Sequence, residues 1–347
     1  MKTILILSTS GNTLFDPDVR DNITDQFIYL RDRLHELGYE LKTADNNPLD
    51  NCEWVLFIDQ NSVKPYSGWR GLARKMKSRI KGKRLFRDLY NECIHAGMQQ
   101  RMALLLMEPP SVIPENWDSK FHEMFPLIFT WHDNYIDEHK FVKIYLTQTR
   151  LFPGVPEISF SNKKLLVTIS INKFSKHPRE LYSARRESIR YFERKQPEGF
   201  DLYGVGWNKP INILEKTIPY LRQNYPSYRG KVQNKWDVLP YYRFGLCYEN
   251  ILDEPGWITE KIFDCMRSKC VPIYWGAANV TKYVDKDAFI DRRLFKSNEE
   301  LEEYLIHMTE KDYNRFQEAM QDYINSQRFD RFLPPEFSDT IIKGLGL

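Results

Sequence analysis

Four short apolar runs punctuate the first part of the chain: ILIL (4–7), WVLFI (54–58), MALLLM (102–107) and LIFTW (127–131). Helix-length amphipathic segments such as 24–38 lie between them. A strand apolar on both faces must be covered on both faces, so the alternation points to a parallel sheet clothed by helices. The pattern starts again in the second half, with LLVTISI (165–171), a helix around 179–194, DLYG (201–204), FGLCYE (244–249), a helix from about 259, and VPIYW (271–275). Between the two series, FPGVPEISFSNKK (152–164) breaks the periodicity and reads as a linker. At 347 residues the chain exceeds what one hydrophobic core usually serves. The expectation is an α/β protein with domains over 1–155 and 156–325 and a tail over 326–347.

Composition removes several function classes. Lys and Arg total 50 against 47 Asp and Glu, a net charge of +3, so nucleic acid is not an expected partner. The five cysteines include no CxxC pair, which argues against a disulfide framework or a zinc knuckle and for reduced thiols in the cytoplasm. The apolar start MKTILILSTSGN is short and lacks a small-residue cleavage site, so it reads as a strand rather than a signal peptide. No uninterrupted apolar stretch approaches the roughly 20 residues of a membrane-spanning helix. One segment is strongly one-signed: residues 64–87 hold ten Lys or Arg and no acid, with Trp69, Leu72, Met76 and Ile80 on one helical face. The commoner outcome for such a segment is the solvated face of a docked helix. The alternative is peripheral contact with an anionic membrane, or with an acidic acceptor.

The stretch YENILDEPGWITEKIFDCMRSKCVPIYWGA (248–277) carries the chemistry. A strand ends at Glu249 and Asn250, a turn-rich loop follows, and Thr259 stands as N-cap of a helix beginning near Glu260. Free N–H groups and the positive dipole end at such a helix start favour a phosphate. Lys261 adds a cation, and Glu260 can accept from the hydroxyls of a ribose or sugar. In isolation the commoner reading of the same residues is a capped surface helix with a salt bridge.

Taken whole, FGLCYENILDEPGWITEKIFDCMRSKCVPIYWGAANV (244–280) resembles the donor-site signature of the glycosyltransferase family 10 fucosyltransferases. That signature runs close to F-x-L-x-F-E-N-S, then Y-V-T-E-K, then V-P-I-Y-x-G. KWDVLPYYRF (235–244), FDLYGVGWN (200–208) and LYSARRESIRYF (181–192) are similar to further family segments in the same order. LLLMEPPSVIPENWD (104–118) with FPLIFTWHDN (125–134) looks like the part that supplies the catalytic carboxylate. The resemblance covers roughly residues 100–295 and is weak before them.

The resemblance implies a GT-B fold, two Rossmann-like domains facing across a cleft, with GDP-fucose held by the C-terminal one. It implies an inverting fucosyltransferase that acts on a hydroxyl of an acceptor glycan, with α-1,3 transfer to N-acetylglucosamine or glucose units. Glu108, where Pro109 and Pro110 end the run MALLLM, matches the family's catalytic base. Lys261 matches its phosphate-contacting lysine, Glu260 its ribose-binding glutamate and Arg185 its phosphate-contacting arginine, with Arg186 as competitor for that role. Asn172 and Lys173 match a turn near the nucleotide. Glu249 and Asn250 contact donor hydroxyls or hold the loop. Trp257 stands where the family usually has Tyr; it can stack on a base or sugar but lacks the phenolic hydroxyl. Trp117, Trp131 and His132 are the acceptor-side candidates, the tryptophans as stacking platforms.

No metal ligand set is evident, so no cofactor is required; a divalent cation has at most a stimulatory place. Two alternatives stay open: the same scaffold with another nucleotide sugar, or a GDP- or glycan-binding protein without turnover. The resemblance is to the anchor-free bacterial or viral kind, which makes the cytoplasm the expected location, with the peripheral membrane contact noted above.

Overall fold

The computed structural model describes residues 1–8, 11–17, 24–64, 72–73, 76, 80, 87–148, 154–210, 213–218 and 224–347. Each apolar run is a strand. In the first unit, β1 (Lys2–Leu7), β2 (Tyr39–Thr43), β3 (Cys52–Ile58), β4 (Met102–Leu106), β5 (Leu127–Thr130) and β6 (Phe141–Lys143) form one sheet in the order β2-β1-β3-β4-β5-β6. Every pairing in it is parallel. Side chains of period two divide between its faces. Ile4, Ile6, Leu56, Ile58, Leu105 and Phe129 pack with Phe27, Leu30 and Leu34 of helix α1 (Asp25–Glu36). Leu5, Leu7, Val55, Phe57, Leu104 and Leu106 pack with Leu89 and Cys93 of α2 (Leu89–His95).

The second unit repeats the scheme. β7 (Lys164–Ile169), β8 (Phe200–Tyr203), β9 (Tyr242–Tyr248), β10 (Val271–Trp275) and β11 (Ile290–Asp291) lie in the order β11-β10-β9-β7-β8, again all parallel. Helix α3 (Tyr182–Lys195) buries Tyr182, Arg185, Ile189 and Phe192, spacings of three and four that line one stripe. The eight-residue α4 (Glu260–Arg267) follows β9, and α5 (Asn298–Ile306) and α6 (Glu310–Asn325) come after β11. Two glycines permit close approach. A Cβ on Gly204, whose φ is +127°, would lie 1.9 Å from the carbonyl oxygen of Ser170, and one on Gly245 would lie 2.6 Å from Cys265 Sγ.

In each sheet the strand order reverses once, between β1 and β3 in the first and between β7 and β9 in the second. Open α/β sheets bind ligands outside the carboxyl ends of strands at such a point. The chain divides by contact into Met1–Thr149 with Phe332–Leu347, and Arg150–Arg331. The final helix α7 (Pro334–Leu345) thus belongs to the first unit, where Phe337, Ile341, Ile342 and Leu345 complete the α1 face of the core. Proline in its first turn and left-handed Gly346 (φ 71°) after its last delimit it.

Candidate active site

At the carboxyl edge of the second sheet, the donor-like motif folds into a buried knot. Glu249 follows β9, and its side chain is fully buried. Its carboxylate accepts from Thr259 N (3.0 Å), from Thr259 Oγ1 (2.9 Å) and from Lys261 Nζ (3.0 Å). Thr259 occupies the N-cap position, but its hydroxyl does not cap α4 as the sequence suggests. It is turned to Glu249 instead, and itself accepts from Lys261 Nζ at 2.8 Å. Gly276, the glycine of V-P-I-Y-x-G, closes this knot: a Cβ there would lie 2.5 Å from Glu249 Cγ and 2.6 Å from the Tyr274 hydroxyl.

The electrostatics follow from burial and proximity. Burial pushes the Glu249 carboxyl up and Lys261 opposes that; burial likewise works against the Lys261 cation, yet Glu249 and Glu260 hold its pKa above the ordinary value. Lys261 therefore stays charged, with 20 % of its side chain exposed. Glu260 is 43 % exposed; desolvation works against its charge, but Lys261 at 3.7 Å and Lys235 at 3.5 Å keep its carboxyl below the usual range. Lys235 also pairs with Asp264 at 2.6 Å. Burial pushes that carboxyl up to about 6.

The two arginines separate cleanly. Arg185 is only 4 % exposed; its guanidinium donates to the carbonyl oxygens of Tyr248 and Glu249 (3.1 Å for the latter), tying α3 to the end of β9. Arg186 is partly exposed and donates to the Lys173 carbonyl (2.7 Å) and the Ser183 hydroxyl (3.1 Å). Asn172, beyond β7, donates from its backbone to Val205 O at 2.9 Å, while its buried Oδ1 has no hydrogen-bond partner among the described residues. Lys173 beside it is exposed, and the Asn250 carbonyl accepts from Leu181 N at 3.2 Å. Trp257 is a correction: it is 4 % exposed, with its carbonyl accepting from the Tyr274 hydroxyl, and its enclosed ring offers no open face for stacking.

In the first unit, Glu108 lies just beyond β4, partly exposed, with its backbone held at both ends. Its N–H donates to Asp59 Oδ1 at 3.2 Å; its carbonyl accepts from Asn116 Nδ2 and Trp117 Nε1, each at 3.2 Å. Trp117 stacks near Trp131 (4.9 Å between centroids), His132 (5.3 Å) and Tyr135 (5.7 Å). Of the expected acceptor-side groups, Trp131 is fully enclosed and His132 buried, so Trp131 is core rather than a platform. Asp59 was not among the residues singled out from the sequence, although a carboxylate directly after the apolar run WVLFI is the same signal that marks Glu108 after MALLLM.

The basic stretch 64–87 falls mostly outside the described residues, Trp69 included; Leu72, Met76 and Ile80 are described and exposed. Among the described residues, no helix is long and apolar enough to cross a membrane, and no three His, Cys, Asp or Glu converge as metal ligands. All five cysteines are buried and unbridged.

Comparison with known proteins bears on this geometry. Residues 170–331 match the C-terminal part of glycosyltransferase family 10 (fucosyltransferase). The alpha-(1,3)-fucosyltransferase of Helicobacter pylori is 38 % identical over 77 residues, which is 22 % of this chain and 16 % of that protein. The aligned segment thus spans under a fifth of that relative's length. The crystal structure of an alpha1,3-fucosyltransferase with GDP-fucose superposes with a TM-score of 0.56 over 100 % of this chain and 90 % of the other, at 14 % identity. T4 phage beta-glucosyltransferase with UDP-glucose gives 0.55 over 100 % of both chains, also at 14 % identity. At that identity the structural likenesses speak for the fold alone: two parallel-sheet α/β units of the GT-B class. With the motif of residues 244–280 folded at the second sheet's reversal point, the span 170–331 is similar to the C-terminal part of glycosyltransferase family 10.

Proposed function

We propose that the chain is an inverting glycosyltransferase that moves L-fucose from GDP-fucose to a hydroxyl of an acceptor glycan, α-1,3 to an N-acetylglucosamine or glucose unit. The observation that carries this reading is the Glu249–Thr259–Lys261 knot. An ammonium has three N–H donors. Lys261 spends two on Glu249 and Thr259, which leaves one for a phosphate oxygen without breaking the knot. Lys261 and the positive dipole end of α4 would then neutralise the departing diphosphate, with Arg185 adding its positive charge from the end of β9.

In this mechanism the Glu108 carboxylate takes the proton of the acceptor hydroxyl. The hydroxyl oxygen attacks the anomeric carbon of fucose from the face opposite the diphosphate, the bond from that carbon to the phosphate oxygen breaks, and GDP leaves. Glu260 would accept from the ribose hydroxyls, and Asn172, with its unpartnered oxygen, from a donor N–H or O–H. One feature favours a second reading, a different sugar on the same scaffold: Trp257, in the place of the family's Tyr, is enclosed.

Turnover of GDP-fucose, GDP-mannose and UDP-sugars with lactose and N-acetyllactosamine, by wild type and Glu108→Gln, tests the proposal. The expected result is fucose transfer that falls about 10²–10⁴-fold in E108Q while GDP binding is unchanged. Transfer from another donor alone selects the second reading. GDP binding without any turnover leaves a binding protein.

A further inference from the structure

We propose that Asp59 is a positioning residue for Glu108: its buried carboxyl pins the Glu108 backbone, and its negative charge makes the Glu108 carboxylate a stronger base. The inference rests on the reading of Glu108 as the general base.

Three geometric facts carry it. Asp59 directly follows β3, at the reversal of strand order in the first sheet where such folds place ligands. Its backbone sits at φ 57°, ψ 162°, a region that essentially only glycine adopts without strain. A side chain kept at such a point needs bonds that hold it there, and Asp59 has them. At 5 % exposure, its Oδ1 accepts from Met107 N (2.8 Å), Glu108 N (3.2 Å) and Asn116 Nδ2 (2.7 Å). The Asp59 carbonyl accepts from the backbone and hydroxyl of Ser62 at 3.1 and 2.9 Å. Asn116 is itself fixed: its Oδ1 takes Gln60 N at 2.7 Å and its carbonyl takes His122 Nε2 at 2.6 Å. One carboxylate oxygen thus holds the two residues that follow β4 and the loop residue Asn116.

Among the described residues the charges around Asp59 are few. From the β4 end it faces Glu108. From the loop after β4 it faces the neutral amide of Asn116, with His122 behind, whose burial keeps it neutral at lower pH than usual. The short helix Gln60–Val63 that follows brings no charged residue, and Lys64 comes only after it. Among the described residues no Lys or Arg pairs with Asp59 within 4.0 Å. Burial, with Glu108 adding to it, pushes the Asp59 carboxyl up to about 7, while the three N–H bonds pull the other way. The charge of Glu108 raises the Asp59 carboxyl, so the ionisation of each bears on the other. Below neutrality Asp59 carries a proton and adds no charge beside Glu108. Above it Asp59 is charged, and repulsion raises the affinity of Glu108 for the acceptor's proton. Activity should therefore climb through about pH 7.

Asp59→Asn tests this, because Asn keeps an acceptor oxygen for the three N–H groups and removes the charge. The expected outcome is a loss of the ascending limb near pH 7 from the kcat/KM profile, with kcat at pH 8 about 10-fold lower and KM for GDP-fucose unchanged. A D59N enzyme that keeps the wild-type limb overturns the inference. A second measurement does not need that variant to fold: the pH titration of the Asp59 13Cγ resonance in wild type and in E108Q. A midpoint near 7 that drops in E108Q supports the pair; a midpoint below about 5, or one indifferent to E108Q, overturns it. If no donor is turned over at all, the proposed function fails, and the resonance still decides whether the pair exists.

Discussion

At the reversal point of the second sheet a buried carboxylate, Glu249, meets an ammonium, Lys261, at 3.0 Å. At that of the first, the buried carboxyl of Asp59 has another carboxylate, Glu108, as its charged neighbour. Both are held by backbone N–H groups, Glu249 by Thr259 and Asp59 by Met107 and Glu108. The difference is in charge balance. A paired carboxylate keeps a cation fixed and charged, which suits the handling of an anion. An unpaired one rises toward neutrality and makes proton transfer near pH 7 accessible. The same strand-end architecture thus yields opposite chemistry according to whether a lysine stands opposite the buried acid.

Removing the lysine should break the comparison most severely. Lys261→Met leaves Glu249 buried and unpaired, with an expected stability loss of about 3–5 kcal/mol and a loss of GDP affinity. The double variant K261M/E249Q should recover stability in chemical denaturation but not GDP binding in titration calorimetry. Recovery of both would mean that Lys261 is purely structural.

The second test uses pH. The folded-state pKa of Asp59 is raised from 3.8 to about 7, so the folded protein binds the extra proton between those values. The stability contributed is present below about pH 4 and lost as pH rises through 7, on the order of 4 kcal/mol at most. D59N should show a flatter stability profile across that window than wild type. Parallel profiles would show that Asp59 ionises normally. The smallest effect is expected from Gly276→Ala, whose methyl would press on Glu249 Cγ at 2.5 Å. A loss of about 1–3 kcal/mol in thermal or denaturant unfolding is expected, with a matching weakening of GDP binding. An unaffected GDP affinity would separate the shape of the knot from its function.

The strands buried on both faces were legible because nothing but apolar residues can occupy them: VPIYW (271–275) is β10 without a shift, and MALLLM becomes β4 one residue shorter. Edge strands were not, since YELKT (39–43) of β2 is half-exposed and carries no apolar run. The helix start at Glu260 was legible because a helix start after a turn-rich loop has a local signature. The side-chain partner of Thr259 was not, because Glu249 is ten residues away and only folding brings it to the helix start. Burial was equally hidden. Trp257 and Trp131 offer the same ring as an exposed tryptophan, and only the packing around them shows that they are enclosed.

The return of α7 to the first unit has a consequence for synthesis. Residues 334–345 supply Phe337, Ile341 and Ile342 to the core of α1 and β1, so the unit translated first is the last to be completed. Residues 150–331 are synthesised before that helix is made. At about 5–20 residues per second, the α1 face of the nascent sheet waits on the order of 10–40 s for its cover. During that interval Phe27, Leu30 and Leu34 lack Phe337 and its neighbours, and a chaperone that shields apolar surface on unfinished chains would have its natural target there.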